Sequence, residues 1–194
     1  MRIEQPFDVI LADPPWAFRV WNKDTGSGRS ASNHYPVMGL RDICSLPVQP
    51  LMADNCALFL WATWPNILEA FRVIESWSPP KKDGLLTYRT EAWVWVKTNK
   101  DGKRPRMGLG YYTRAVSEPC LLAVRGTMPV AAHDVMALIY SPVRKHSQKP
   151  DEQYAKIERL YPDMRYLELF ARNKHRANWS YWGNEIDSDI SLCA

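Results

Sequence analysis

Blocks of apolar residues alternate with amphipathic stretches along this chain of 194 residues, and the blocks predict strands and helices in turn. Continuous apolar runs bounded by turn residues are typical of buried strands. They occur at Phe7–Ala12, 56–62, 91–97, 119–126 and 165–171, with weaker candidates in "DVMALIYSP" and at 178–185. Apolar residues at helical spacing predict a helix in "NILEAFRVIESW". Proline and acids in the first turn predict another in "PDEQYAKIERLY".

Strands that alternate with helices indicate an α/β domain, with a mostly parallel sheet and helices on both faces. Ligands of such sheets bind at the carboxyl ends of the strands. Asp13 and Trp16 follow the first strand directly, and Arg172 and His175 follow the strand at 165–171. We therefore expect these side chains near the ligand site, within one domain that comprises residues 1–194.

Composition narrows the class of protein only moderately. Hydrophobic residues make up 46% of the chain and the formal net charge is +4, which permits a nucleic-acid partner without requiring one. The four cysteines have no metal-like spacing, so we expect no metal site and a reducing compartment. Because neither a signal segment nor a membrane-length apolar run is present, we expect a cytoplasmic protein that does not contact membranes.

Three predicted loops, at 17–38, 98–114 and 142–149, are rich in basic or aromatic residues. Lysine and arginine bind phosphates, and aromatic rings stack on bases. The candidates for phosphate contacts are Arg104, Arg106, Arg114, Arg144 and Lys145, and the candidates for contacts with a base are Trp21, His34 and Tyr35. A solvated charged surface explains any one of these loops equally well.

The first predicted strand ends at Asp13-Pro14-Pro15-Trp16. Two prolines fix two φ angles and remove two N–H donors, which predicts a stiff turn with main-chain carbonyls that local structure leaves unpaired. The Asp13 carboxylate and the Pro14 carbonyl could accept both hydrogens of a planar NH2 group, and the Trp16 indole could stack on or flank its ring. A strand-ending turn with a partly buried tryptophan explains the four residues equally well.

The motifs of nearly the whole chain extend this interpretation. They are the DPPW sequence, "HYPVM" (34–38), "LFLWAT" (58–63), "WVKTNKDG" (95–102), "SEPCLLAVRG" (117–126), "SQKPDEQYAKIERL" (147–160) and "LELFAR…NWSYWGNE" (167–185). In this order they resemble the DPPW-type adenine-N6 methyltransferase family, which includes the catalytic subunit of the eukaryotic messenger-RNA adenosine methyltransferase and small bacterial and phage relatives. The resemblance covers roughly residues 7 to 187.

The resemblance implies a Rossmann-like, S-adenosylmethionine-dependent methyltransferase in which the catalytic motif precedes the cofactor strand. It assigns the catalytic role to Asp13, Pro14, Pro15 and Trp16, and cofactor binding to Lys149, Glu168, Phe170, Arg172, His175, Asn178, Asn184 and Glu185. By the family pattern, Lys149 reaches the carboxylate of the cofactor's methionine part. The register after Arg172 leaves open whether Lys174 or His175 faces the cofactor. The upstream acid of the eukaryotic relatives has no clear counterpart, because Asp8 falls within the predicted strand.

The implied reaction is in-line transfer of the sulfonium methyl group to the exocyclic amine of adenine, with Asp13 and the Pro14 carbonyl orienting that amine. The resemblance to bare bacterial and phage catalytic domains favours DNA and leaves RNA open, and it implies a homodimer or a paralogous partner subunit. Two alternatives stay open at this point: an inactive methyltransferase-like subunit that binds nucleic acid or a partner, and an enzyme that methylates cytosine or a protein amide.

Overall fold

The computed structural model describes residues 5–17, 37–80, 84–108, 110, 112–144 and 148–192. The strands are β1 (Phe7–Ala12), β2 (Met52–Trp61), β3 (Thr87–Thr98), β4 (Ser117–Arg125), β5 (Leu138–Pro142), β6 (Tyr166–Leu169) and β7 (Trp179–Trp182). The α-helices are α1 (Leu40–Ser45), α2 (Ile67–Ser76) and α3 (Glu152–Leu160), and short 3-10 turns occupy Gln49–Leu51 and Trp64–Asn66.

The strands form one sheet in the order β5-β3-β4-β2-β1-β6-β7. Strand β4 is antiparallel to both of its neighbours, and the other pairings are parallel. The predicted mostly parallel sheet is therefore confirmed. One edge of the sheet consequently collects the carboxyl ends of six strands and the amino end of β4. We call it the Asp13 edge, because Asp13 follows β1 there.

Helices cover both faces of this sheet, as predicted. On one face, α1 and α2 bury Ile43, Val73 and Trp77 in a cluster that contains Ile10 and Leu58. On the other face, helix α3 buries two residues, Tyr154 and Ile157, in a cluster with Val9, Phe59 and Trp61. Alternate residues of β1 and β2 thus enter opposite cores, as the pleat of a strand requires. Burial of each such side chain contributes about 1.5–3 kcal/mol.

Several element boundaries differ from the sequence-based prediction, among them the start of β3, which is Thr87 rather than residue 91. Strand β2 begins at Met52 rather than at residue 56, and β7 ends at Trp182 rather than at residue 185. Helix α1 was not predicted, because six residues after Gly39 carry too little periodicity to reveal a helix. Among the described helices, none combines the length and apolarity that a membrane span needs.

Candidate active site

The Asp13-Pro14-Pro15-Trp16 turn ends β1 in a closed local conformation. The backbone N–H of Trp16 donates to the Pro14 carbonyl at 2.8 Å, and the backbone N–H of Met38 donates to the Pro15 carbonyl at 3.0 Å. The expectation of carbonyls left unpaired was therefore wrong, because the turn folds back on itself and the returning chain pairs with it. A carbonyl has two lone pairs, so the Pro14 oxygen retains capacity for one further donor.

Trp16 is buried, with 5% of its surface exposed. Its indole N–H donates to the carbonyl of Trp61 at 3.0 Å. The side chain thus fastens the turn to the end of β2, and only a small part of the ring is left to flank a bound base. The partly buried tryptophan that the sequence left open as an alternative describes Trp16 better than an open stacking surface does.

Four alternating charges meet at the Asp13 edge. The Lys149 Nζ lies 2.9 Å from Asp13 Oδ2 and 3.4 Å from Glu118 Oε2. Lys97, near the end of β3, binds the other oxygen of Glu118. Glu118 reaches this edge because β4 runs antiparallel and begins there. Lys149 is therefore a bridge between two carboxylates, a position that the sequence did not indicate.

The two carboxylates that Lys149 bridges have opposite pKa shifts. Burial raises the pKa of Asp13 above its usual value, and the Glu118 charge adds to this, while Lys149 and Arg172 oppose it. Burial acts in the same direction on Glu118, but the ammonium groups of Lys149 and Lys97 outweigh it and lower the pKa of Glu118. Glu118 therefore keeps its negative charge to lower pH than Asp13 does, and Asp13 is the group nearer to accepting a proton.

Two adjoining cavities meet at Asp13, and both are lined by Lys149, Phe170, Arg172 and Glu185. The larger, of about 270 Å³, lies on the side of helix α3 and is lined further by Leu11, Trp61, Gln148, Gln153, Tyr154, Glu168, Asn173 and His175. We call it the helix-side cavity. The smaller, of about 150 Å³, is lined further by Pro14, Pro15, Trp16, Met38, Thr63, Glu118, Ala171, Trp182, Gly183 and Asn184. We call it the turn-side cavity.

The backbone between β6 and β7 is shaped to line both cavities. Phe170 has a φ of 63°, in the left-handed region that a bulky residue adopts only under constraint. Its ring packs edge-on against Trp182, with centroids 5.4 Å apart. At Gly183, a Cβ atom would lie 1.9 Å from the Ala171 carbonyl. Glycine therefore lets the chain cross β6 closely enough for Asn184 and Glu185 to reach the cavities.

Most of the predicted cofactor residues line these cavities. Arg172 Nε binds Glu185 Oε1 at 2.7 Å. His175 lines the helix-side cavity, whereas Lys174 binds Asp189. Of the two residues, only His175 lines the cavity, so it remains the candidate for contact with the cofactor. Asp8 accepts the Arg165 N–H at the opposite edge of the sheet, so it does not supply the missing upstream acid.

Asn178 was assigned to the cofactor set, and the structure does not support that assignment. It is exposed and lines neither cavity. The physical reason is its position directly before β7, whose amino end lies at the edge of the sheet opposite Asp13.

Glu168 and Tyr154 form a buried pair in the helix-side cavity. The Tyr154 hydroxyl donates to Glu168 Oε2 at 2.8 Å. Burial raises the pKa of Glu168 to about 8, although the bond from Tyr154 opposes the shift, and the charges of Asp13 and Asp151 add to it. The pKa of Glu168 thus lies far above that of an exposed carboxyl group.

The predicted loop residues have different outcomes. Arg104, Arg106 and Arg114 are exposed near the Asp13 edge, on the segment that joins β3 to β4. Arg144 binds Asp151 and approaches the Lys149 carbonyl, so its guanidinium is already engaged. Trp21, His34, Tyr35 and Lys145 lie outside the described residues. The segments 17–38, 98–114 and 142–149 all start or end at the Asp13 edge, which the sequence could not show.

The sequence-based set missed Glu118, Lys97, Gln153 and Tyr154. Gln153 accepts the Trp61 indole N–H at 2.7 Å and lines the helix-side cavity. Glu118 directly precedes the strand predicted at 119–126. In a parallel sheet that position would lie at the edge opposite Asp13, so the sequence alone did not place Glu118 in the site. Within the described part of the chain, no group of three His, Cys, Asp or Glu side chains could hold a metal ion.

Replacement of Glu168 by glutamine is expected to make the free energy of unfolding less dependent on pH. A carboxyl whose pKa rises from near 4.5 to about 8 on folding contributes stability that is complete below pH 4.5 and is lost as the pH rises through 8. Glutamine imitates the protonated form at every pH. Between pH 5 and pH 9, the free energy of unfolding of Glu168→Gln should therefore rise by a few kcal/mol relative to that of the unaltered protein, at about 1.4 kcal/mol per pKa unit.

Urea unfolding at pH 5, 7 and 9 measures this difference. Glu75→Gln, on the exposed side of α2, is the matched control and should follow the unaltered protein. An equal pH dependence in Glu168→Gln and the unaltered protein would show that Glu168 is ionised in the folded state.

Comparison with known proteins identifies the family. A model of the MT-A70 family matches residues 7–185. M.MunI, a Type II methyltransferase of Mycoplasma sp, is 31% identical over 203 residues, which cover 96% of this chain and 81% of the relative. An N(6)-adenosine-methyltransferase MT-A70-like protein of Arabidopsis thaliana is 33% identical over 190 residues, covering 96% of this chain and 25% of the relative. The N(6)-adenine-specific methyltransferase METTL4 of Homo sapiens is 30% identical over 201 residues, covering 96% and 39%.

The chain thus spans most of the bacterial relative and less than half of the two eukaryotic ones. The family match runs from the strand before Asp13 to Glu185, and so includes both ends of the candidate site. The resemblance inferred from the motifs is confirmed, together with the methyltransferase class and the fold that it implied: the chain belongs to the MT-A70 family.

Proposed function

We propose that this chain transfers a methyl group from S-adenosylmethionine to the N6 amino group of adenine in nucleic acid, with DNA as the preferred substrate. The observation that carries the proposal is the junction of two cavities at Asp13. The turn-side cavity presents the DPPW turn, the helix-side cavity presents Glu168 and His175, and Arg172 and Glu185 line both. A transferase needs this arrangement, because donor and acceptor must meet at one point.

The side chains around the junction suit the chemical groups of S-adenosylmethionine. Lys149 supplies an ammonium for its carboxylate, and Glu168 supplies an oxygen for its amino group. Glu185 and Arg172 offer an acceptor and donors for ribose hydroxyls. When bound, this cofactor supplies a methyl group on a positively charged sulfur, which makes the methyl carbon electrophilic.

The residues of the turn act on the acceptor amine. Its nitrogen lone pair is delocalised into the adenine ring, so the nitrogen is a weak nucleophile. Asp13 and the free lone pair of the Pro14 carbonyl would accept its two N–H bonds, favour pyramidal geometry and fix the direction of the lone pair. When nitrogen gains the methyl carbon, the carbon–sulfur bond breaks and one N–H proton must leave. Asp13, whose pKa is raised by burial, is placed to take that proton.

Three features of the proposal are more specific than the family match: the type of nucleic acid, the oligomeric state and the location. DNA is preferred over RNA because the chain covers far more of the Type II methyltransferase M.MunI than of the relative named for adenosine. A homodimer or a paralogous partner subunit stays part of the proposal, as the resemblance implies. A cytoplasmic location fits the free thiols of Cys44, Cys56 and Cys120.

The alternatives have less support. An inactive subunit has no need for a DPPW turn joined by a cavity to Arg172 and Glu185. The turn itself would serve cytosine or a protein amide as well as adenine. Relatives that are named for N6-adenine or N6-adenosine methylation favour adenine.

The test is incubation of the protein with methyl-labelled S-adenosylmethionine and a panel of single-stranded DNA, duplex DNA and RNA oligonucleotides, followed by digestion to nucleosides. We expect N6-methyladenine, with the highest yield in DNA. Label in cytosine, or label only in protein, would overturn the choice of substrate. Cofactor binding without transfer to any oligonucleotide would favour the inactive subunit.

A further inference from the structure

Trp64 differs from the other tryptophans of the described chain. It is 48% exposed, whereas the other seven that the structure describes are buried or half-buried. It lies in the 3-10 turn Trp64–Asn66, three residues beyond the end of β2, and therefore at the Asp13 edge. What separates Trp64 from the other exposed aromatic residues is its place beside the candidate active site, where its open ring face is available to a ligand.

The indole of Trp64 is exposed and yet fixed in orientation. Its N–H donates to the Ser117 hydroxyl at 3.0 Å, at the first residue of β4. The turn that carries it is held from below by Asn66, which is 6% exposed. Asn66 accepts the Thr63 hydroxyl at 2.7 Å and approaches the carbonyl of Ala17, just after the DPPW turn, at 3.4 Å. A ring held this firmly loses little conformational entropy when it stacks on a ligand.

The surroundings of Trp64 connect it to both the reaction and the basic surface. Thr63 on one side and Glu118, next to Ser117, on the other both line the turn-side cavity with Asp13. Ser117 also ends the segment that carries the exposed Arg104, Arg106 and Arg114. An aromatic platform beside a positively charged path is the arrangement that proteins use for an unpaired nucleic-acid strand.

We infer that Trp64 is the stacking platform for the nucleotide next to the target adenine. The inference rests on the proposed function and deepens it, because it implies that the enzyme engages an unpaired segment around the target base. A base stacked on Trp64 would be held outside the turn-side cavity while its neighbour enters toward Asp13. Stacking accepts any base, so Trp64 contributes affinity and positioning rather than a preference for one sequence.

The experiment compares oligonucleotides that carry one target adenine and either a normal base or an abasic residue at its 5′ or 3′ flank. For the unaltered protein, removal of one flanking base should weaken binding by roughly 5- to 100-fold, as expected for one lost base–aromatic stack. Trp64→Ala should weaken binding of the normal oligonucleotide by a similar factor and should be insensitive to the abasic residue. Trp64→Phe keeps a ring and should retain most of the affinity.

The controls separate stacking from damage to the fold and from failure of the proposed function. Tyr140→Ala removes an exposed aromatic ring from β5, an outer strand three positions from β2, and should change neither binding nor its abasic sensitivity. Affinity for S-adenosylmethionine should be the same in all variants. If the unaltered protein methylates the oligonucleotide and Trp64→Ala binds it equally well, or keeps the full abasic sensitivity, the inference is wrong and the proposed function stands. If the unaltered protein methylates no oligonucleotide, both fail.

Discussion

Asp13→Asn is expected to lower the rate of methyl transfer by about 1,000-fold while cofactor binding and the fold persist. Asparagine keeps the shape of the side chain and one acceptor oxygen, but it removes the negative charge that stabilises positive charge on the amine during transfer. Losses of 100- to 1,000-fold are usual when one such electrostatic group is removed. Lys149 keeps Glu118 as a neighbour at 3.4 Å, so the variant does not leave its ammonium without a carboxylate.

Single-turnover rates with labelled S-adenosylmethionine measure the effect, and calorimetry measures cofactor affinity. Asp8→Asn is the matched control, because Asp8 lies at the other end of β1 and its role there, accepting the Arg165 N–H, survives the change to an amide. Near-normal transfer by Asp13→Asn would mean that the proposed orientation of the amine is wrong.

The second large effect is expected from Lys149→Met. The resemblance assigns Lys149 to the carboxylate of the cofactor, and the structure adds its bridge between Asp13 and Glu118. We therefore expect two losses: at least tenfold weaker binding of S-adenosylmethionine, and a lower rate with saturating cofactor. Methionine keeps the unbranched stem of the side chain and removes only the charged end, including the contact of Nζ with the Trp61 ring at 5.4 Å, so the local packing is disturbed little.

The pH dependence gives Lys149→Met a signature of its own. Lys149 lowers the pKa of Asp13 against the effect of burial, so its removal should raise that pKa further. Because Asp13 must be ionised to accept the amine hydrogens, the acidic limb of the pH–rate profile should move to higher pH. Lys97→Met is the control: Lys97 binds Glu118 but lines neither cavity, so cofactor affinity should be unchanged. Unchanged affinity in Lys149→Met would remove its assignment to the cofactor carboxylate.

The ion pairs among Lys97, Glu118, Lys149 and Asp13 explain how the buried Asp13 carboxylate can carry a charge. The formal charges cancel, so the cluster as a whole costs less desolvation than its members would singly. Within the cluster, two ammonium groups lower the pKa of Glu118, whereas burial raises the pKa of Asp13. The acceptor amine would thus meet a carboxylate whose pKa is raised by burial, a shift that is opposed mainly by Lys149.

At the turn after β1, the sequence predicted the end of the strand correctly and the pairing of the carbonyls wrongly. The two prolines fixed the end of β1 correctly, because the restriction on φ and the missing N–H donors are local properties. The state of the carbonyls was predicted wrongly. Met38 returns to pair with Pro15, and nothing in the four residues announces that contact.

The sequence by itself determined the alternation of strands and helices, the position of the stiff turn and the family. Apolar spacing, proline geometry and the order of the motifs are properties of the linear sequence and need no tertiary contacts. Only the tertiary structure decided that β4 runs against its neighbours, which brings Glu118 to Asp13, and that Asn178 belongs to the opposite edge while His175 belongs to the cavity. Strand direction and register depend on pairing between distant segments, and that pairing is selected by the burial of whole faces rather than by any local pattern.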